Sequence, residues 1–237
     1  MGPAEPPGNS LGDLTSAQVR GESLTLVIPL GSTEQHGPHL PLDTDTRIAS
    51  AVADGVSHRL GHLLAPPIHY GASGEHQGFP GTISLGTTAL IAVLTEYGRS
   101  ACEWARRLVF VNGHGGNIEA LRAAVGLLRS EGRDVTWCGC SVVGGDAHAG
   151  HTETSVLLHL SPADVRTGDV APGADEPLAA LMPRMRLGGV AAVSDSGVLG
   201  DPTTATADAG ERLFAQMLAD CLSRITRWDP DGHGMLR

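Results

Sequence analysis

The sequence predicts an α/β fold in which a mostly parallel sheet is covered by helices on both faces. Short apolar runs alternate along the chain with segments whose apolar residues recur at helical spacing. Strands separated by helices of this length form βαβ units, which give parallel sheets. The 237 residues suit one large domain. We expect a flexible tail at residues 1–10, which include several Pro and Gly, and a single domain at residues 11–237.

The first half of the domain begins with a predicted buried strand at residues 24–30. A helix is predicted at residues 46–60, where apolar side chains are spaced four residues apart. A glycine-rich loop follows at residues 71–81. Thr87 or Thr88 should cap the next helix, because a threonine side chain can accept a hydrogen bond from the free amides of the first turn.

The second half repeats the alternation of strands and helices. Residues 108–111 form a second predicted buried strand, and residues 135–143 form another. A helix is expected to begin near Thr152, and a last helix is predicted at residues 207–227. The Gly- and Pro-rich stretch at residues 167–206 fits neither pattern. We expect it to contain a long excursion near the functional site.

Composition excludes several classes of protein. The formal net charge of −10 argues against binding to nucleic acid or to an anionic membrane, so we expect neither partner. All 16 basic residues are arginines. The lack of lysine excludes Schiff-base lysines, lysine general bases and the lysine of a P-loop.

The cysteines and the hydropathy pattern indicate a cytoplasmic protein. The cysteines are too few and too scattered for a disulfide scaffold; they are Cys102, Cys138, Cys140 and Cys221. The C-x-C spacing of Cys138 and Cys140 is not that of a zinc site and fits a strand better. The sequence shows neither a signal peptide nor an apolar run long enough to span a bilayer.

Ionisable residues cluster where the predicted strands end. They are Glu34, His36 and Asp45 after the first strand, His114 after the second, and His148 and Glu153 after the third. In open parallel sheets, ligands bind beyond the carboxyl ends of the strands. Carboxylates and imidazoles are costly to bury unless a cation receives them, and this mixture suits zinc, manganese or iron. We interpret the clusters as a metal site; the alternative is a set of polar turns.

The glycines around His114 permit a second interpretation. Gly113, Gly115 and Gly116 allow positive φ and the close approach of a ligand. Because they precede a helix that Asn117 is expected to cap, they could also bind phosphate at its N-terminus. The segment matches neither G-x-G-x-x-G nor the P-loop, and its central histidine favours a metal.

A serine nucleophile is another alternative. The segment Gly71–Glu75 (GASGE) superficially resembles the nucleophile elbow G-x-S-x-G. It lacks the second glycine and does not lie between a strong strand and a helix, as that motif requires. Ser73 is therefore expected to contact substrate or to be an ordinary loop residue.

Ordered motifs in the sequence resemble the creatininase family. They are Gly31–Asp45 (GSTEQHGPHLPLDTD), Phe79–Thr82 (FPGT), Asn112–Asn117 (NGHGGN) and His148–Ser155 (HAGHTETS). The resemblance extends over residues 24–160. Within the family, the sequence is most similar to the branch of mycofactocin-system peptidases, on the evidence of Asp146–His159, Gly188–Val193 and Gly197–Thr203.

The resemblance implies a three-layer α/β/α sandwich, assembled as a homo-oligomer and commonly a hexamer. It also implies two divalent metal ions per subunit, zinc, iron or manganese. By motif, Glu34, Asp45 and His114 would hold one metal. His36 and Asp45 would hold the second, so that Asp45 bridges the pair. His148 matches the family's catalytic histidine, which passes a proton to the leaving nitrogen.

One position departs from the family's pattern. Creatinine-hydrolysing members carry a glutamate two residues after the histidine of the Asn-Gly-His motif, where this chain has Gly116. Either Glu153 or water is expected to complete the second metal site, or that site binds its metal weakly. His39 and His76 are candidates for contacts to the ligands or to substrate, and His151 for orienting Glu153.

The residues alone indicate metal-dependent hydrolysis of a C–N bond, in which two cations activate water and polarise the carbonyl. The resemblance implies a more specific reaction, removal of the C-terminal Val-Tyr dipeptide from the modified mycofactocin precursor peptide. Two alternatives stay open. One is an amidohydrolase or deformylase acting on a small cyclic or formylated amide, and the other is a metal-dependent binding or assembly protein without turnover.

Overall fold

The sheet lies at the centre of the molecule. A computed structural model describes residues 9–19 and 23–237, and all structural statements refer to these residues. The sheet has four strands in the order β2-β1-β3-β4, and each neighbouring pair is parallel. The strands are β1 (Thr25–Leu30), β2 (Leu63–Leu64), β3 (Arg107–Asn112) and β4 (Asp134–Gly139).

Helices cover both faces of the sheet. They are α1 (Thr44–Leu60), α2 (Thr87–Ala101), α3 (Ile118–Ser130), α4 (His151–Leu160) and α6 (Ala207–Arg227). A further helix, α5 (Leu178–Gly188), instead contacts the 3-10 turns Gly74–His76 and Val190–Ala192. Buried side chains of α1, α4 and α6 form one core with the sheet, and those of α2 and α3 form a second core on the opposite face. The predicted α/β fold with a parallel sheet between two helical layers is confirmed.

Side chains that alternate along the strands build these two cores. Val27 and Val109 face α1, α4 and α6, whereas Leu26, Ile28 and Phe110 face α2 and α3. All of these side chains are fully buried. Since both faces are covered, β1 and β3 are continuous apolar runs rather than alternating ones.

The last helix, α6, packs against α4, the helix that carries Glu153. The side chain of Thr206 caps α6 by accepting a hydrogen bond from the main-chain N–H of Ala209. α6 then crosses α4 so closely that a Cβ on Gly210 would lie 1.8 Å from the carbonyl oxygen of Ser155. Glycine at this position therefore permits the two helices to pack against each other.

One predicted boundary and one predicted helix cap are wrong. β4 ends at Gly139 rather than at residue 143, because its pairing with β3 ends where Asn112 faces Gly139. α2 has Gly86 as its N-cap residue, with φ of 75°, and Thr87 is the first helical residue. No side chain caps this helix.

The expected excursion at residues 167–206 lies near the site. It contains α5 and several short 3-10 turns, and Leu199 pairs with His148 through main-chain hydrogen bonds in both directions. Of the predicted tail, residues 1–8 lie outside the described residues, and the main-chain oxygen of Asn9 accepts a hydrogen bond from Leu64. None of the helices described is both long and apolar enough to cross a membrane.

Candidate active site

Loops at the carboxyl edge of the sheet converge on one pocket. The loop after β1 carries Glu34 and His36, and the first turn of α1 adds Asp45. The loop after β3 carries His114, and the segment after β4 leads to His148 and to Glu153 at the start of α4. The pocket has a volume of about 940 Å³, and Glu34, Asp45, His114, His148 and Glu153 line it. The structure therefore brings every predicted site residue together, with His36 beneath the pocket.

The cluster contains overlapping sets of potential metal ligands. Ligand atoms of Glu34, Asp45 and His114 lie within 4.8 Å of one another. The same holds for His36, His148 and Glu153, and for a third set of Glu34, His76 and His148. This arrangement offers two adjacent positions for cations.

Asp45 lies between two imidazoles. Its Oδ1 is 3.1 Å from His36 Nε2, and its Oδ2 is 3.2 Å from His114 Nδ1. The hydroxyl of Ser32 donates a hydrogen bond to Oδ2 at 2.8 Å. Burial alone would raise the pKa of the Asp45 carboxyl, but His36 and His114 hold that pKa well below its usual range. An ionised carboxylate that faces both sides of the cluster is suited to bridging two cations.

Glu34 has the environment of a metal ligand. Its carboxylate is fully buried, and neither oxygen has a hydrogen-bond partner. The nearest groups are His114 Nε2, 3.2 Å from Oε2, and His76 Nε2, 3.4 Å from Oε1. A buried carboxylate without hydrogen bonds is costly, and a coordinated cation removes that cost. The residues present therefore fit a bound metal.

His36 and Glu153 face each other across the second ligand set. Their Nε2 and Oε2 atoms are 3.9 Å apart. Burial would lower the pKa of His36, but Asp45, Glu153 and Glu34 raise it to about 10. Burial raises the pKa of Glu153 to about 7. Positive charge is thus favoured between these carboxylates.

His148 is held by the main chain of the first motif. Its Nε2 lies 2.7 Å from the carbonyl oxygen of Gln35, and its Nδ1 lies 3.8 Å from Glu34 Oε1. Burial, followed by the neighbouring His36 and His76, lowers the pKa of His148 well below its ordinary value. The ring is therefore neutral near pH 7, as an acceptor of a proton must be.

One further residue of the site, His76, was only a candidate from the sequence, and two others, Glu75 and Gln35, were not identified from it. His76, named as a candidate for contacts, is buried and belongs to a ligand set. Burial lowers its pKa to about 4. Glu75 lines the pocket with Oε1 3.7 Å from His114 Nε2, and the side chain of Gln35 contacts both His76 and His148. The G-E-H sequence in the glycine-rich loop is the signal that could have identified Glu75 and His76.

Gly116 cannot be replaced by a larger residue. A Cβ there would lie 2.3 Å from the carbonyl oxygen of Ala72, 2.4 Å from His114 Nε2 and 2.7 Å from Glu75 Oε1. The space that a side chain at this position would need is therefore filled by neighbouring groups. Glu153, not residue 116, supplies a carboxylate on the side of His36.

Two expected roles around the motifs are wrong. Asn117 occupies the N-cap position of α3 but does not cap it; its amide instead joins Ala72 and Gly31. His151 bonds the hydroxyl of Thr204 at 2.8 Å rather than orienting Glu153. Glu153 is oriented by the main-chain N–H of Ala149, which donates to its Oε2 at 2.6 Å.

Ser73 and His39 lie behind the pocket. Ser73 is fully buried, with its Oγ 3.5 Å from His114 Nε2. His39 is also fully buried, and its Nε2 lies 2.8 Å from the hydroxyl of Thr154 on α4. His39 thus ties the first motif to the helix that carries Glu153.

The fold and the site together fit a hydrolase whose pocket contains potential metal ligands. Potential metal ligands lie at the carboxyl edge of a parallel sheet, in a pocket large enough for a small substrate. The family model for creatininase, creatinine amidohydrolase, matches residues 12–225. The chain therefore belongs to the creatininase family.

Relatives with high similarity share one name. A mycofactocin precursor peptide peptidase from Mycobacterium tuberculosis is 65% identical over 236 residues, which cover 95% of this chain and 94% of the relative. A protein of the same name from Mycolicibacterium smegmatis is 62% identical over 234 residues, with 96% and 95% covered.

Solved structures of creatininase show the same fold. A creatininase described as a manganese form superposes with a TM-score of 0.78 at 28% identity, covering 94% of this chain and 99% of its own. A creatininase variant described as Zn-Zn type gives a TM-score of 0.78 at 28% identity, with 94% and 99% covered.

Proposed function

We propose that this chain is a two-metal peptidase that removes the C-terminal Val-Tyr dipeptide from the modified mycofactocin precursor peptide. The observation that carries the proposal is the buried ligand cluster at the base of the pocket, in a chain 65% identical to a peptidase of that name. The Zn-Zn and manganese forms of creatininase support zinc or manganese as the cations, and iron is a further candidate.

The ligand geometry supports an assignment of residues to the two cations. Glu34, Asp45 and His114, which form one set of potential ligands, would hold one cation. His36 would hold the other together with Asp45 and Glu153, whose oxygens lie 3.1 Å and 3.9 Å from its Nε2. The side chain of Asp45 reaches both sets, because its two oxygens face His36 and His114 separately. When bound, such a pair of cations lowers the pKa of water and polarises the scissile carbonyl.

The position of His148 supports a role in transferring a proton from the attacking water to the leaving amine. Its Nε2 is engaged with the main-chain oxygen of Gln35, so Nδ1 is the atom that faces Glu34 and the ligand cluster. Nδ1 of the neutral ring can accept a proton from the attacking water and deliver it to the leaving amine nitrogen. His148 is thus the residue that we propose as the general base and acid.

The pocket wall supports a peptide as substrate. α5 and the residue before it contribute apolar side chains to the lining, Pro177, Leu178, Met182 and Met185. Flexible methionines adapt to irregular apolar groups, and such a wall can bind the side chains of a Val-Tyr dipeptide. The volume of about 940 Å³ also exceeds what a single small cyclic amide requires.

Mass spectrometry of the modified precursor peptide after incubation with the metal-loaded enzyme tests the proposal. We expect the peptide to lose the mass of Val-Tyr, and the free dipeptide to appear. Metal-stripped enzyme should be inactive. The activity restored by zinc, manganese or iron(II), each added separately, should identify the native cation. An uncut peptide, together with turnover of creatinine or of a formylated amide, would assign the alternative amidohydrolase activity. An uncut peptide without turnover of either would favour a binding protein.

Replacing Glu153 with glutamine should weaken one metal position. The substitution keeps the shape of the side chain but removes its charge, so the His36 side of the cluster should lose its cation while the other cation stays. We expect metal analysis to show one fewer ion per subunit, and an excess of metal to restore part of the activity.

A matched control for this variant is Glu119→Gln, because Glu119 lies in the first turn of α3 as Glu153 lies in the first turn of α4. The control should keep both ions and full activity. If Glu153→Gln keeps both ions and is nevertheless inactive, Glu153 orients other groups and is not a ligand.

The setting of the enzyme is also a proposal. We propose a cytoplasmic homo-oligomer, in the hexameric form that the family resemblance implies. The four cysteines are free, as is usual in a reducing compartment. Light scattering combined with size-exclusion chromatography would give the number of subunits.

A further inference from the structure

We propose that Gln35 is a positioning residue that fixes the orientation and the protonated nitrogen of both His76 and His148. The inference rests on the proposed role of His148 in peptide cleavage and adds a residue to it. Gln35 lies between Glu34 and His36 in the chain, and it is buried. Its contacts determine which nitrogen of each ring carries hydrogen.

The amide group of Gln35 has a defined orientation. Its Oε1 accepts a hydrogen bond from the main-chain N–H of Gly37 at 2.9 Å. On the other side, its Nε2 donates to the carbonyl oxygen of Gly197 at 3.1 Å. Because one partner can only donate and the other can only accept, the oxygen and the nitrogen of the amide cannot be exchanged.

The hydrogen-bond partners then determine the tautomer of both histidines. His148 Nε2 lies 2.7 Å from the main-chain oxygen of Gln35, which can only accept, so this nitrogen carries hydrogen. It therefore cannot accept from the amide of Gln35, although Nε2 of that amide is 3.0 Å away. The two amide hydrogens go to Gly197 and to His76 Nδ1, which is 2.9 Å away. His76 consequently carries hydrogen on Nε2, which faces Glu34 Oε1 at 3.4 Å.

Nδ1 is the atom of His148 that can exchange a proton during catalysis. With Nε2 of His148 committed to Gln35, the free lone pair lies on Nδ1, 3.8 Å from Glu34 Oε1. A proton that His148 moves must therefore enter and leave at Nδ1. The ring centroids of His76 and His148 are 4.4 Å apart. The amide of Gln35 holds His76 against His148 and so restricts the rotation of both rings.

Gly197 completes the arrangement from the excursion between α4 and α6. Its φ is 81°, and a Cβ there would lie 1.9 Å from Gln35 Oε1. Alanine at this position would therefore displace the amide of Gln35 without changing the identity of Gln35, His76 or His148. This gives a steric test that does not alter Gln35 itself.

The test combines a kinetic measurement with a structural one. Gln35→Met removes the amide without adding charge, and we expect kcat for peptide cleavage to fall by about 10–100-fold with metal content and KM nearly unchanged. Gly197→Ala should show the same pattern. The control Gln77→Met alters an exposed glutamine beside His76 and should leave both kinetic constants unchanged. Unchanged kcat in both Gln35→Met and Gly197→Ala would refute the positioning role.

The structural readout uses the metal-free protein, so it does not depend on turnover. Long-range ¹H–¹⁵N correlation spectra of histidine-labelled wild-type protein should show His76 and His148 both as the Nε2–H tautomer. Gln35→Met should change the pattern of His76 and leave the Nε2–H of His148, whose partner is a main-chain oxygen. An Nδ1–H tautomer of either ring in the wild type would overturn the proposal. Failure of the wild-type enzyme to cut the peptide would instead contradict the proposed function, and the spectra would still decide the role of Gln35.

Discussion

Replacing Asp45 with alanine is expected to abolish peptide cleavage and to remove most of the bound metal. The carboxylate faces His36 and His114 with separate oxygens, and both proposed ligand sets include it. Loss of the cations removes several kcal/mol of transition-state stabilisation, which corresponds to a fall in activity of more than about 10³-fold. Elemental analysis of the purified variant and the rate of dipeptide release are the two measurements.

A nearby acidic residue provides the control for this variant. Asp43 lies two residues earlier, and its carboxylate pairs with Arg47 at 2.7 Å. Asp43→Ala should retain both the metal and the activity. Circular dichroism should show that Asp45→Ala is folded. A folded Asp45→Ala protein with wild-type metal content would contradict the bridging role.

Replacing His148 with alanine should reduce kcat by about 10²–10⁴-fold, the usual contribution of a proton donor or acceptor. We expect the metal content to be retained, because the proposed ligands of both cations remain. His114→Ala should lose both activity and metal, since His114 contacts Glu34 and Asp45 within the first ligand set. Metal analysis of the two variants, beside their kcat values, makes the comparison.

Comparing the two variants distinguishes a metal ligand from a proton carrier, because His148 also lies in two sets of potential ligands. Equal metal loss in His148→Ala and His114→Ala would make His148 a ligand and refute its role in proton transfer. His151→Ala is a suitable control, because His151 lies three residues after His148, at the start of α4, but bonds to Thr204. That variant should keep its activity.

The convergence of the site's side chains could be predicted from the sequence, because the ends of the strands are visible in it. The apolar runs of β1 and β3 are buried on both faces and end abruptly in ionisable residues, and parallel strands deliver their carboxyl ends to one edge. Glu34 and His114 could therefore be placed near each other without a structure. Glu153 could be placed as well, because α4 begins where the segment after β4 returns to that edge.

The contributions of His76 and Gln35 could not be predicted in the same way. His76 lies in a short 3-10 turn of a glycine-rich loop, whose path no hydrophobic period determines. Alternation would place the side chain of Gln35 opposite those of Glu34 and His36. The segment after β1 is not a strand, so Gln35 turns towards the same histidines.

The pocket wall formed by α5 was also inaccessible to sequence patterns. Pro183 lies within this helix, and only Leu181 among its residues is buried, so the segment shows little helical periodicity. Its position depends on contacts with residues far away in the sequence, such as the 3-10 turn Gly74–His76. Such long-range contacts leave no local signal.

Anomalous diffraction from crystals of the metal-loaded protein would locate each cation relative to Asp45 and so test whether this carboxylate is shared by two metals. We expect two peaks in every subunit, about 3.5–4 Å apart as in other two-metal hydrolases, one on the His114 side of Asp45 and one on the His36 side. A single peak in the wild-type protein, or peaks that do not contact Asp45, would contradict the shared role of Asp45.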